Sequence, residues 1–141
     1  MSERPLGAVT EGCSVPRVDH LVHFEVHADD PERALAFYQA LFGWTVGSSP
    51  GDGYWLVHAT TEGQPGIDGA IVRRRGERPE VGAPIVGMVT TVQVADLGAS
   101  LARAVELGGD VAEPTREVPG VGWVAYVHDT EANVLGLFQS R

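Results

Sequence analysis

Residues 23–44, HFEVHADDPERALAFYQALFGW, decide how the rest of the chain folds. From His20 to Ala28 apolar and polar residues alternate: Val22, Phe24 and Val26 point one way, and His23, Glu25 and His27 the other. That is strand periodicity. Asp30 then offers a capping oxygen, Pro31 suits a first helical position whose N–H would lack a partner anyway, and Glu32 favours the positive end of the helix. Ala34, Leu35, Tyr38, Leu41 and Phe42 form an apolar stripe, and Gly43 stops the helix. Sliding the sequence by 66 without a gap places Val26 on Val92, Asp30 on Asp96, Leu35 on Leu101, Ala36 on Ala102, Leu41 on Leu107 and Gly43 on Gly109. The chain therefore carries the same plan twice.

Working outward, short strands are expected at Trp44–Gly47, Tyr54–Thr60 and Ile67–Arg73, separated by the turn formers SSPGDG and EGQPG. Residues 74–87, RRGERPEVGAPIVG, lack periodicity and read as a connector. Its arginines form the chain's basic cluster together with Arg73, and suit either a solvated loop or an anion contact. The second copy runs from a strand at Met88–Ala95 through a helix capped by Asp96 to strands near Asp110–Pro114, Gly122–Val127 and Val134–Gln139. In the turn HDTEAN, Asp129 and Asn133 can close local hydrogen bonds. The expected organisation is a tail at 1–17, a βαβββ module at 18–73, the connector at 74–87 and a second βαβββ module at 88–141. Neither copy can bury its helix-facing side alone. Pairing them gives an α+β fold with a curved mixed sheet, helices outside and a concave pocket within.

The 141 residues are 43% apolar, enough for a sizeable core, and the net charge is -9. An acidic chain does not suit a phosphate backbone or an anionic membrane surface, so neither nucleic acid nor membrane is expected as a partner. A small organic ligand or another subunit is. Cys13 is the single cysteine and permits no internal disulfide, which fits the cytoplasm. No apolar run resembles a signal peptide or a membrane span.

The candidate chemistry lies on the first strand. Glu25, flanked by His23 and His27, can act as a base beside a carbonyl, with a histidine returning the proton, or it can anchor an arginine and shape the sheet. His58 and His128 sit on later strands. Neighbours in a strand point oppositely, so one of Tyr54 and Trp55 faces the cavity, and Trp123 and Tyr126 divide likewise. With Phe138 these aromatics suit a flat ligand. No P-loop, GxGxxG or supported Ser-His-Asp motif is present, so nucleotide chemistry and nucleophilic hydrolysis have no positive support.

The segments FEVHADDPERALAFYQALFGW, VQVADLGASLARAVELGG and GVGWVAYVHDTEANVLGLFQ resemble the vicinal oxygen chelate superfamily, which holds glyoxalase I, bleomycin resistance proteins and extradiol dioxygenases. The resemblance implies paired βαβββ modules, a homodimer, and metal ligands on the first and last strands of each module. Carried over, those positions fall on His23, Val89, Gly136 and an unfixed position in IDGAIVRR, where Asp68 is the carboxylate. His23 is the one matched ligand, and catalytic metals ask for about three protein ligands. The expectation is thus no cofactor and a metal-independent binding protein of the bleomycin-resistance type. One alternative is a glyoxalase-like lyase, isomerase or epimerase, or a dioxygenase-type enzyme. It would use His23 and Glu25, or a relocated site for one divalent metal (Zn, Ni, Fe or Mn). Another is an interaction module whose cavity is filled by Tyr126 and Phe138.

Overall fold

Asp30 and Asp96, 66 residues apart, adopt nearly the same extended backbone, with φ of -128° and -138°. Each side chain accepts a hydrogen bond from the amide three residues on, Arg33 and Ala99. These caps start helix α1 (Pro31–Phe42) and helix α2 (Leu97–Glu106). Gly43 ends α1 at φ 80°, a left-handed conformation that favours glycine. The computed structural model describes residues 21–47, 53–85 and 87–141. The expected tail, Cys13, His20 and most of the SSPGDG turn lie outside the described residues.

In the first module β1 (Phe24–Ala28), β2 (Thr45–Val46), β3 (Tyr54–His58) and β4 (Gly69–Arg73) form a sheet in the order β1-β4-β3-β2. In the second, β5 (Thr91–Gln93), β6 (Asp110–Val118), β7 (Gly122–His128) and β8 (Val134–Ser140) repeat it as β5-β8-β7-β6. The internal offset survives at the level of register. Glu25 pairs with Ala70 in the parallel β1–β4 ladder, and 66 residues later Thr91 pairs with Gly136 in the parallel β5–β8 ladder.

One apolar core joins the modules. It takes Ala28, Val57 and Ile71 from the first sheet, Phe37 and Tyr38 from α1, Leu97 and Ala104 from α2, and Ala125, Val127, Leu135 and Leu137 from the second sheet. Tyr38 stacks on Trp44 with ring centres 4.9 Å apart and planes 6° apart. Residues 74–85 and 87, the described part of the connector, form neither helix nor strand. Most strand boundaries shift by a residue or two from expectation, and three shifts are larger or bear on the site. β1 begins at Phe24, β5 covers only Thr91–Gln93, and β6 runs on past Pro114 to Val118. β6 is an edge strand with register shifts between Val111 and Glu113 and between Glu113 and Arg116, which accommodates a proline that cannot donate to a ladder. Among the described residues no helix is long and apolar enough to cross a membrane.

Candidate functional site

Register fixes what each sheet face carries. His27, Val72 and Tyr54 lie side by side across β1, β4 and β3, as do Glu25, Ala70 and Leu56. His23, Glu25 and His27 therefore project from the face opposite the core. Glu25 is bracketed by the two imidazoles, with His23 Nε2 3.7 Å from Oε2 and His27 Nε2 3.6 Å from Oε1. The Tyr54 hydroxyl lies 3.2 Å from His23 Nε2. Trp55 takes the core-facing side with Val57 and Ile71, so of the Tyr54/Trp55 pair it is Tyr54 that shares a face with Glu25. On the second sheet Tyr126, Gly136 and Thr91 form one row, and Val124, Phe138 and Gln93 the next. His128 shares that face, with Nδ1 2.6 Å from Asp110 Oδ1. Trp123 lies on the other face, packed against the core and under Arg141, whose guanidinium is 5.0 Å from the ring centre. Trp55 and Trp123 are thus not plates on the open faces.

The positions that the superfamily resemblance assigns to a metal can now be tested. Register places the counterpart of Gly136 at Ala70, not at Asp68. Asp68 is committed elsewhere. It accepts hydrogen bonds from the amides of Ala59 and Thr60 at 2.8 and 3.1 Å and from the Thr60 hydroxyl at 3.2 Å, with His58 Nδ1 3.4 Å away. Burial would raise this carboxyl, but those hydrogen bonds outweigh it and hold its pKa below the ordinary value. Ala70 is wholly buried, and a Cβ at Gly136 would stand 2.6 Å from Thr91 Oγ1 and 3.1 Å from Tyr126 Cε1. A glutamate there would have to displace both neighbours. Valine, alanine and glycine supply no donor, so the residues do not fit the group. Among the described residues no set of three His, Cys, Asp or Glu side chains is arranged to hold an ion.

The junction between the modules is made by a carboxylate that the sequence hides in a turn. Glu131, with its side chain wholly buried, leaves the β7–β8 turn and meets the N-terminal end of α1. It accepts from the amides of Asp29 and Asp30 at 3.0 and 3.1 Å, from Arg33 Nε and Nη2 at 2.7 and 2.9 Å, and from the Thr130 hydroxyl at 2.8 Å. Burial alone would raise its pKa. The hydrogen bonds, led by Arg33, reverse that and bring it from 4.5 to about 2. Asp129 and Asn133 close the turn as expected, Asp129 Oδ1 accepting from the amides of Glu131 and Asn133 at 2.8 Å each. Asp129 also accepts from the Tyr38 hydroxyl at 2.7 Å, and burial, followed by the Asp129 charge, pushes the Tyr38 phenol well above its ordinary range. Two of the three connector arginines are spent on this junction, and Arg75 is exposed. Arg74 binds Asp29, the Glu131 carbonyl and the His27 carbonyl, and Arg78 binds Asp29 and the Thr130 carbonyl.

Between β1, the connector and the start of β8 lies a groove of about 460 Å³. Glu25, His27, Arg74, Glu80, Thr90 and Asn133 supply its polar lining, and Pro79, Ala83, Pro84, Ile85 and Met88 much of its apolar one; of the candidate catalytic and ligand-binding residues, Glu25 and His27 are the two present. His58 lines a second groove of about 380 Å³ near the C-terminal end of α1, and Tyr126, His128 and Phe138 stay on the open face of the second sheet.

Residues 20–56 match a family model described as bleomycin resistance protein-like N-terminal. No curated protein matches the chain. Among solved structures, a glyoxylase/bleomycin resistance protein/dioxygenase domain from Frankia sp. EAN1pec is 19% identical with a TM-score of 0.63, covering 89% of this chain and 100% of its own. The genomically encoded fosfomycin resistance protein FosX from Listeria monocytogenes is 19% identical with a TM-score of 0.66, over 89% of this chain and 96% of its own. TnmS3, an antibiotic binding protein from Streptomyces sp. CB03234, is 23% identical with a TM-score of 0.63, over 90% and 100%.

Proposed function

We propose that this chain, which has the vicinal oxygen chelate fold, binds a small organic ligand in the groove between its modules and does so without a divalent metal. The observation that carries this reading is the donor set. Of the four inherited ligand positions, His23 alone holds a ligating side chain, and Thr91 and Tyr126 crowd the space that a residue at Gly136 would need. The likeness to TnmS3, described as antibiotic binding, and to FosX, described as a fosfomycin resistance protein, supports a binding or resistance role over an interaction module with a filled cavity. A homodimer belongs to the same proposal. Both sheets end at a first strand, β1 and β5, whose outer edge has no ladder partner among the described residues, and such edges invite pairing. A second reading, metal-independent acid–base chemistry, is favoured by the Glu25 carboxylate held between two imidazoles with Tyr54 adjacent.

Metal analysis of the purified protein, before and after incubation with Zn, Ni, Fe and Mn salts, beside a His23→Ala variant, tests the first reading. The expected result is no stoichiometric metal in either. About one ion per chain, lost in the variant, would overturn it.

A further inference from the structure

The charges that line the 460 Å³ groove do not balance, and the imbalance has a sign. Glu25 has no hydrogen-bond donor closer than the two imidazoles at 3.6 and 3.7 Å. Glu80, on the connector wall, has no ion-pair partner among the described residues. The single guanidinium on the wall, Arg74, is already committed, its Nε to Asp29 and its Nη2 to the carbonyls of His27 and Glu131. Arg33 and Arg78 are consumed by the same junction, bound to Glu131 and Asp29, and the exposed Arg75 does not line the groove. What remains facing the groove is two carboxylates in a chain of net charge -9. Beside His27, Thr90 and Asn133, much of the remaining wall is apolar and open, with Met88 89% and Ile85 55% exposed.

We infer that the groove selects an organic cation, a protonated amine or guanidinium on an apolar body, with Glu25 and Glu80 as counter-charges and Ala83, Pro84, Ile85 and Met88 covering the body. This rests on the groove being the ligand site. The physical ground is that an apolar body of ordinary size removes the exposed Ile85 and Met88 surface from water, while the cation is attracted at short range by carboxylates that no guanidinium or ammonium neutralises. An anion of the same shape would meet the two glutamates with no free guanidinium to compensate.

Three compounds sharing one body separate the possibilities: 1-naphthylmethylamine, 1-naphthalenemethanol and 1-naphthoic acid, titrated at neutral pH with amide chemical shifts as the readout. The expected result is shifts at Glu25–His27, Ala83, Ile85, Met88 and Asn133–Leu135, with the amine binding at least about tenfold more tightly than the alcohol and the acid weakest. Glu25→Gln and Glu80→Gln should each remove about tenfold of the amine's affinity, and the control Glu62→Gln none. All three side chains are solvent-accessible, so the variants fold. Equal binding of the three compounds, or an amine indifferent to both substitutions, overturns the charge selection and leaves the groove as a binding site. No groove shift with any of the three overturns the site itself, and the inference with it.

Discussion

The two modules repeat each other, yet the junctions where they meet are not alike. On one side the β7–β8 turn drives Glu131 into the start of α1, where both its oxygens accept and the amides of Asp29 and Asp30 are bonded. At the position 66 residues earlier Glu131 is replaced by Pro65, and Asp29 is answered by Ala95. There the β3–β4 loop cannot cap α2, whose Leu97 amide is held instead by Gln139 Oε1 of its own module at 2.7 Å, and a groove of about 380 Å³ stays open between Gln64 and Ala95. A duplicated fold needs only one of its two equivalent seams to be locked. The other is released for variation.

The sharpest way to break the comparison is Glu131→Ala. It strands the amides of Asp29 and Asp30 and leaves the Arg33 guanidinium without its buried partner. Each buried donor left without a partner costs about 1–3 kcal/mol, while the 46% exposed Arg33 side chain regains water. Urea unfolding should show that loss, whereas Pro65→Ala at the equivalent place should change stability by less than about 0.5 kcal/mol. Comparable effects at the two sites would mean that the seams are equally important.

Acid should read the same difference. The folded pKa of Glu131 is depressed, from 4.5 to about 2, so its ionised form stabilises the fold. That contribution is whole above about pH 4.5 and is lost as the pH falls towards 2. About 2–3 kcal/mol is expected, discounted because the Arg33 side chain is 46% exposed. Asp68 is also lowered and weakens in the same acid range, so the wild type retains some pH dependence from it. Stability measured from pH 5 to 2 should therefore fall more steeply in the wild type than in Glu131→Gln. Parallel curves would remove Glu131 from the account.

How much of this was legible beforehand follows from the range of the interactions. The caps at Asp30 and Asp96, the stripe of α1 and the stop at Gly43 are chemistry among residues three or four apart, and sequence alone places them. The 66-residue offset relates the two parallel ladders to each other, Glu25 with Ala70 and Thr91 with Gly136, but the pairing itself is read from the sheets. Glu131 was invisible because its partners lie about a hundred positions away, at Asp29, Asp30 and Arg33. The nearest signal was a carboxylate in the HDTEAN turn with no local partner, beside a connector whose arginines had no assigned anion. Asp68 was ambiguous for the opposite reason: it was the only carboxylate in its segment, and only the β1–β4 ladder shows that the pairing position is Ala70.

The smallest expected effect distinguishes the two helix starts themselves. Asp96 is the acidic cap of α2, and no acidic residue follows in that helix's first turn. Asp96→Ala should lower stability by about 1 kcal/mol, a few degrees in Tm. Asp30 makes the same bond to the amide three residues on, but the start of α1 also holds Glu32 and the Glu131 carboxylate. The favourable charge at that end therefore persists without Asp30, and one repulsion with Glu131 is relieved. Asp30→Ala should then cost less than Asp96→Ala, by a few tenths of a kcal/mol. In a Glu131→Gln background the difference between the two losses should narrow, since the charge that supports α1 from the other module is gone and Glu32 alone remains. If the difference is unchanged there, Glu131 acts through packing and hydrogen bonds, and its charge contributes nothing to the helix.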